Sequence, residues 1–129
     1  MTILHPPDWP KPIGYASGVS ATGTFVFVSG QVGWDAGGQF ASSELAVQVE
    51  QALRNIVAVV AEAGGTPADI TRLTWFVTDK AEYVLARKAI GEAYRRVMGR
   101  HFPAMSVVAV CALVEDEAKV EIEATAVIA

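Results

Sequence analysis

Between Ser43 and Gly64-Gly65, apolar residues return at the period of an α-helix: Leu45, Val49, Ala52, Leu53, Ile56, Val60 and Ala63, with Glu50, Arg54 and Glu62 on other faces. A stripe this long must be buried against something. Ser42 or Ser43 is the expected N-cap, and the glycine pair is the expected stop, because glycine takes a left-handed C′ conformation without a Cβ clash. A second stripe, Tyr83, Ala86, Ile90, Tyr94 and Val97, predicts a helix over about 80–98. Two one-sided helices in 129 residues limit the possible folds more than any other feature of the chain.

The segments around them read as strands. Thr24-Phe25-Val26-Phe27-Val28-Ser29 is β-branched and aromatic between Gly23 and Gly30, and the run from Tyr15 to Ser20 is placed to pair with it as a hairpin through Ala21-Thr22-Gly23. Ile70 to Thr78 alternates, with Leu73, Trp75 and Val77 on one face. Met105 to Val114 is apolar on both faces, which predicts a central strand covered on both sides. Lys119 to Ile128 alternates again: Val120, Ile122, Ala124, Ala126 and Ile128 share one face, and Glu121, Glu123, Thr125 and Val127 the other. Residues 1–13, rich in proline, read as an extended arm with order starting near Gly14, and 14–129 as one α/β domain: a mixed sheet with both helices on one face. The opposite face then needs a cover. A hydrophobic fraction of 52% suggests that other copies of the chain supply it.

Composition narrows the function. Ten basic residues are spread thinly against fourteen acidic ones, a formal charge of −4, so no basic stripe exists to follow a phosphate backbone and nucleic acid is not an expected partner. The opening residues lack the basic and apolar regions of a signal peptide, and the longest apolar run, Val107 to Val114, is too short to cross a bilayer; the expectation is a cytoplasmic protein with no membrane partner. The single cysteine, Cys111, reads as a small buried hydrophobe, with no basic neighbour to stabilise a thiolate. His5 and His101 are isolated, so neither a metal cluster nor a paired acid and base is expected. Trp34, just after the Ser29-Gly30-Gln31 turn, is the tryptophan best placed in sequence to stand near a ligand.

Several segments in order carry a resemblance: Tyr15 to Ser20 with Phe25-Val26-Phe27-Val28-Ser29-Gly30-Gln31; Val49-Glu50-Gln51-Ala52-Leu53-Arg54-Asn55-Ile56; Thr74-Trp75-Phe76-Val77-Thr78-Asp79; Phe102-Pro103-Ala104; and Lys119-Val120-Glu121-Ile122-Glu123-Ala124. Together they resemble the Rid family of reactive intermediate deaminases, also called the YjgF or endoribonuclease L-PSP family. The resemblance implies a chorismate-mutase-like α/β fold, a homotrimer with a central β-barrel, and small-molecule clefts between subunits. It also implies cofactor-free hydrolysis of enamines and imines to ammonia and a 2-keto acid.

Carried over residue by residue, the resemblance makes Glu121 the acid that orients the attacking water. Tyr15, Ser29 and Gly30 match pocket-lining positions. Two positions depart. Met105 stands where the family's arginine clamps the substrate carboxylate, and Val107 stands where a cysteine is frequent. A thioether cannot replace a charge-assisted bidentate bond, so another cation is needed, with Arg54, Arg87, Lys88 and Arg100 as candidates. The alternative to catalysis is a trimer that binds a metabolite or partner without turning it over. A ribonuclease reading is a third, opposed by the charge and by the lack of a histidine pair.

Overall fold

The computed structural model describes all residues from Met1 to Ala129. Its main sheet is four-stranded and mixed, built from β3 (Thr24–Val32), β4 (Ile70–Val77), β5 (Ala104–Ala109) and β6 (Val120–Ile128) in the order β3-β6-β4-β5. Antiparallel ladders join β6 to both β3 and β4, and β4 and β5 run parallel. Two short strands, β1 (Thr2–Leu4) and β2 (Gly18–Ser20), form a separate antiparallel ribbon. The helices are α1 (Leu45–Glu62), α2 (Lys80–Leu85) and α3 (Arg87–Met98). No helix is long and apolar enough to cross a membrane.

One continuous core lies between the sheet and α1 with α3. It takes Val49, Leu53 and Ile56 from α1, Ile90 and Tyr94 from α3, and Leu73, Trp75, Ile122 and Ala124 from the central strands. Alternation along β4 and β6 explains the division: Leu73, Trp75, Val120 and Ile122 turn toward the helices, while Thr74, Phe76, Glu121 and Glu123 turn away. Gln48 is the polar residue that the apolar stripe conceals. It is 1% exposed, donates through Nε2 to the carbonyls of Ser42 and Glu117 at 3.0 Å each, and accepts the Lys119 amide at 2.8 Å through Oε1. One side chain thereby holds the loop before α1 to the loop before β6.

The structure differs from the sequence reading in five places. Tyr15–Ser20 does not form a hairpin with β3: the Ala16 amide donates to the Pro103 carbonyl at 3.0 Å, and Ala16 bridges Ala104, so this segment is held at the β5 edge, with β6 and β4 standing between it and β3. Its strand partner is the arm, where order begins at Thr2. The apolar run after Met105 is an edge strand rather than a central one, and it stops at Ala109, leaving Val107, Val108 and Cys111 exposed. Its two-sided apolarity has no cover within one chain. The second helix breaks at Ala86, whose φ of −92° and ψ of 3° leave its amide shared between the carbonyls of Glu82 and Tyr83. Finally, α1 is capped at Glu44 without a side-chain bond; Ser42 Oγ accepts the Glu44 amide at 2.9 Å and so acts two residues too early. Gly64, with a φ of +82°, ends α1 where the glycine pair predicts.

Candidate functional site

The parallel register of β4 and β5 sets Met105 beside Leu73 and Val107 beside Trp75, so both residues lie on the helix side of the sheet edge. There β5 has no further strand, and a cleft of about 770 Å³ opens between it, α3 and the segment Ile13-Gly14-Tyr15. Tyr15, Met105 and Val107 all line it. Its back wall is a stack of rings: Trp75 and Tyr94 have centroids 6.4 Å apart at 23°, and Tyr94 and Phe102 5.3 Å apart at 10°. The Tyr94 hydroxyl donates to the His101 carbonyl, and burial pushes its phenol well above the usual tyrosine range, so it stays a neutral donor.

Trp75 is 3% exposed, and its Nε1 is the buried side-chain polar atom that finds no hydrogen-bond partner in the chain. An unpaired buried donor costs about 1–3 kcal/mol, a departure from the usual satisfaction of buried polar groups that occurs here in the wall of the cleft. Sequence spacing points to Trp34 instead. Trp34 packs on Phe40, 5.9 Å between centroids, and lines no part of this cleft.

The second group of predicted residues assembles elsewhere. Glu121 stands beside Phe76 in the β6–β4 register, on the face turned away from the helices. Its carboxylate makes no hydrogen bond or ion pair within the chain. Gly30, in the irregular stretch of β3 between Val28 and Gln31, lies directly over it: any Cβ at Gly30 would strike the Glu121 carboxyl group. Ser29 is exposed next to Gly30, and its carbonyl and hydroxyl both accept from Gln31 Nε2 at 3.2 Å. Glu121, Ser29 and Gly30 thus form one cluster and Tyr15, Met105 and Val107 another, on opposite faces of one sheet.

The candidate cations also divide. Arg54 is held by Glu50 at 2.8 Å, and that same carboxylate takes Arg96 at 2.7 Å, which holds it below its usual pKa. Arg100 lines a neighbouring cleft with His5 and Lys11, and Lys88 is exposed outside the main one. Arg87 does line the cleft, near enough to Tyr83 to offset part of the upward push that burial gives that phenol. So does Arg95, which the sequence reading passes over because its position on a charged helix face is ordinary. His101 is no free surface histidine: its Nε2 lies 2.7 Å from the Ile70 carbonyl.

With this geometry in view, the comparisons are consistent with one another. Residues 8–128 match the family model for endoribonuclease L-PSP. The 2-iminobutanoate/2-iminopropanoate deaminase of Salmonella typhimurium is 37% identical over 119 residues, covering 92% of this chain and 91% of that protein. The crystal structure of the Rid-family protein YyfB from Yersinia pestis superposes with a TM-score of 0.84 at 32% identity, covering 98% of this chain and 97% of that one. Escherichia coli TdcF, crystallised with bound serine, superposes with a TM-score of 0.71 at 33% identity over the full length of both chains. An α/β fold of this topology, matched along nearly its whole length by model, sequence and structure alike, makes the chain a member of the Rid/YjgF family, the endoribonuclease L-PSP family.

Proposed function

We propose that the chain works as a homotrimer whose clefts between subunits hydrolyse a reactive 2-imino acid or its enamine, without a cofactor. The observation that carries this reading is the separation of the two clusters. Glu121 with Ser29 and Gly30 lies on the open face, Tyr15 with Met105 and Val107 at the β5 edge of the helix face, and one chain cannot bring them to a common substrate. A neighbouring copy laid against the open face and the free edge can. The same contact would cover Phe25 and Phe27, which are 55% and 76% exposed, and the apolar surface of Val107 and Val108.

In such a cleft the Glu121 carboxylate accepts a proton from water as the water oxygen bonds to the C=N carbon. Glu121 passes that proton to the imine nitrogen, giving a neutral tetrahedral carbinolamine. The carboxylate then takes the carbinolamine hydroxyl proton and delivers it to the nitrogen as the C–N bond breaks, so that ammonia leaves, the carbon keeps the oxygen as a 2-keto group and Glu121 ends ionised as it began. Water is the one co-reactant. The deaminase relatives support this chemistry, and a net charge of −4 with no basic stripe argues against RNA as the reacting partner.

The test is an assay in which an amino-acid oxidase generates the imine and 2-keto acid release is followed. Turnover by the wild type that falls at least about a hundredfold in Glu121→Gln, with the fold intact by circular dichroism, supports hydrolysis. A second reading, a trimer that binds a metabolite without turnover, is favoured by the thioether of Met105. It predicts a silent wild type whose activity appears in Met105→Arg.

A further inference from the structure

Arg87, Gly91 and Arg95 follow one another at i, i+4 and i+8 along α3, so they form one ridge of the helix, and all three line the cleft that holds Met105. At a rise of about 1.5 Å per residue the two arginine α-carbons stand roughly 12 Å apart, with the glycine midway. Glycine is a poor residue for a helix interior. Nothing packed against Gly91 requires it: an added Cβ would meet only the Arg95 guanidinium, Nη1 at 3.5 Å and Nη2 at 4.0 Å. The gap opens the cleft floor and lets Arg95 fold back over it. Neither Arg87 nor Arg95 is among the chain's ion pairs, which take Arg54, Arg96 and Lys119.

We propose that this ridge takes over the task vacated at position 105: the cleft receives a substrate carboxylate between Arg87 and Arg95, with a large aromatic side chain lying along the Trp75–Tyr94–Phe102 stack and Met105. Two guanidinium forks on a cleft otherwise walled by rings and aliphatic chains suit an amphipathic anion, and suit poorly either a small polar acid or a neutral hydrocarbon. The Trp75 indole, whose buried N–H has no acceptor, belongs to the same wall. With the cations on α3 and a thioether on β5, the charge lies at the helix side of the cleft, and Met105 leaves room for a bulkier group than an arginine at that position would.

The proposal rests on the cleft being the substrate site, so the deciding measurement is binding, which fails separately from catalysis. Calorimetry on the assembled full chain compares 3-phenyl-2-oxopropanoate, 2-oxopropanoate and neutral 3-phenylpropanamide. The aromatic oxo acid is expected to bind at least tenfold more tightly than either of the others. Arg87→Gln and Arg95→Gln, both exposed positions whose folding circular dichroism verifies, should each weaken it at least tenfold, and Lys88→Gln, which removes a charge from the same helix outside the cleft, should leave it unchanged. Binding without turnover by the wild type would uphold the arginine ridge and overturn hydrolysis. Turnover with unaltered affinity in the double arginine variant would do the reverse. Equal affinity for the amide, or no binding of any of the three, would also overturn the ridge.

Discussion

The two faces of the main sheet are made by alternate residues of the same strands, yet they obey different rules. On the helix face, Leu73, Val120 and Ile122 are fully enclosed, and the side chains across from them on α1 and α3 fill the same core. On the other face Phe25 and Phe27 meet edge to face at 6.1 Å with solvent around them, and Arg72, Glu121 and Glu123 stand without ion-pair partners. Packing therefore settles one face within the chain and leaves the other open, the face on which the proposed neighbouring copy would lie. Glu121, the residue that the family resemblance assigns to water activation, belongs to the unsettled face.

This contrast can be broken most directly in the core. Leu53→Ala, at a fully buried position of α1, should lower unfolding free energy by about 2–5 kcal/mol in urea titrations, since both transfer and cavity terms apply. A loss under 1 kcal/mol would mean that the helix face is less tightly packed than its burial indicates. Gln48→Ala should follow at roughly 1–3 kcal/mol, because the Ser42 and Glu117 carbonyls and the Lys119 amide lose their buried partner together.

The ion-pair network at the far side of the helices sharpens the comparison at lower energies. Glu50 links Arg54 of its own helix to Arg96 of α3, at the protein surface, so Glu50→Gln should cost no more than about 1 kcal/mol at neutral pH. The sign with pH follows from its lowered pKa. The carboxylate contributes fully above its ordinary value near 4.5 and loses that contribution as pH falls through the lower folded-state value, so wild type and variant should converge in acid. A gap between their melting curves that widens in acid would contradict the network.

The smallest effect on the single chain is expected on the open face. Phe27→Asp should change the stability of the isolated subunit by about 0.5 kcal/mol or less, as for other exposed positions. Sedimentation should nevertheless show a large fall in particle mass, because a charge would then sit where the proposed subunit contact buries a ring. Unchanged mass would separate Phe27 from any interface.

Much of the fold can be read along the chain because it follows from local periodicity. Leu45 to Val60 and Ile90 to Tyr94 keep their stripes, β4 and β6 keep their alternation, and Gly64 stops α1, since each of these depends on residues a few positions away. Partnership does not follow from period. The strand pattern of Tyr15–Ser20 was legible, but its attachment to Pro103 and Ala104 rests on an amide 87 residues from its acceptor in sequence, and an apolar run reads alike whether its second cover is a strand, a helix or another copy of the chain.

The candidate site divides along the same line. Glu121, Tyr15, Met105 and Val107 can be singled out from motif order, and Met105, at the position where the resemblance expects an arginine, is visible in one letter. That Gly30 covers Glu121, that Trp75 rather than Trp34 walls the cleft, and that Arg87 and Arg95 reach it while Arg54 is held by Glu50, depends on which strands neighbour one another and which helix face turns inward. Local chemistry and period are properties of short segments, whereas the meeting of distant side chains is set by sheet order and helix docking, which the free energy of the whole packed core selects.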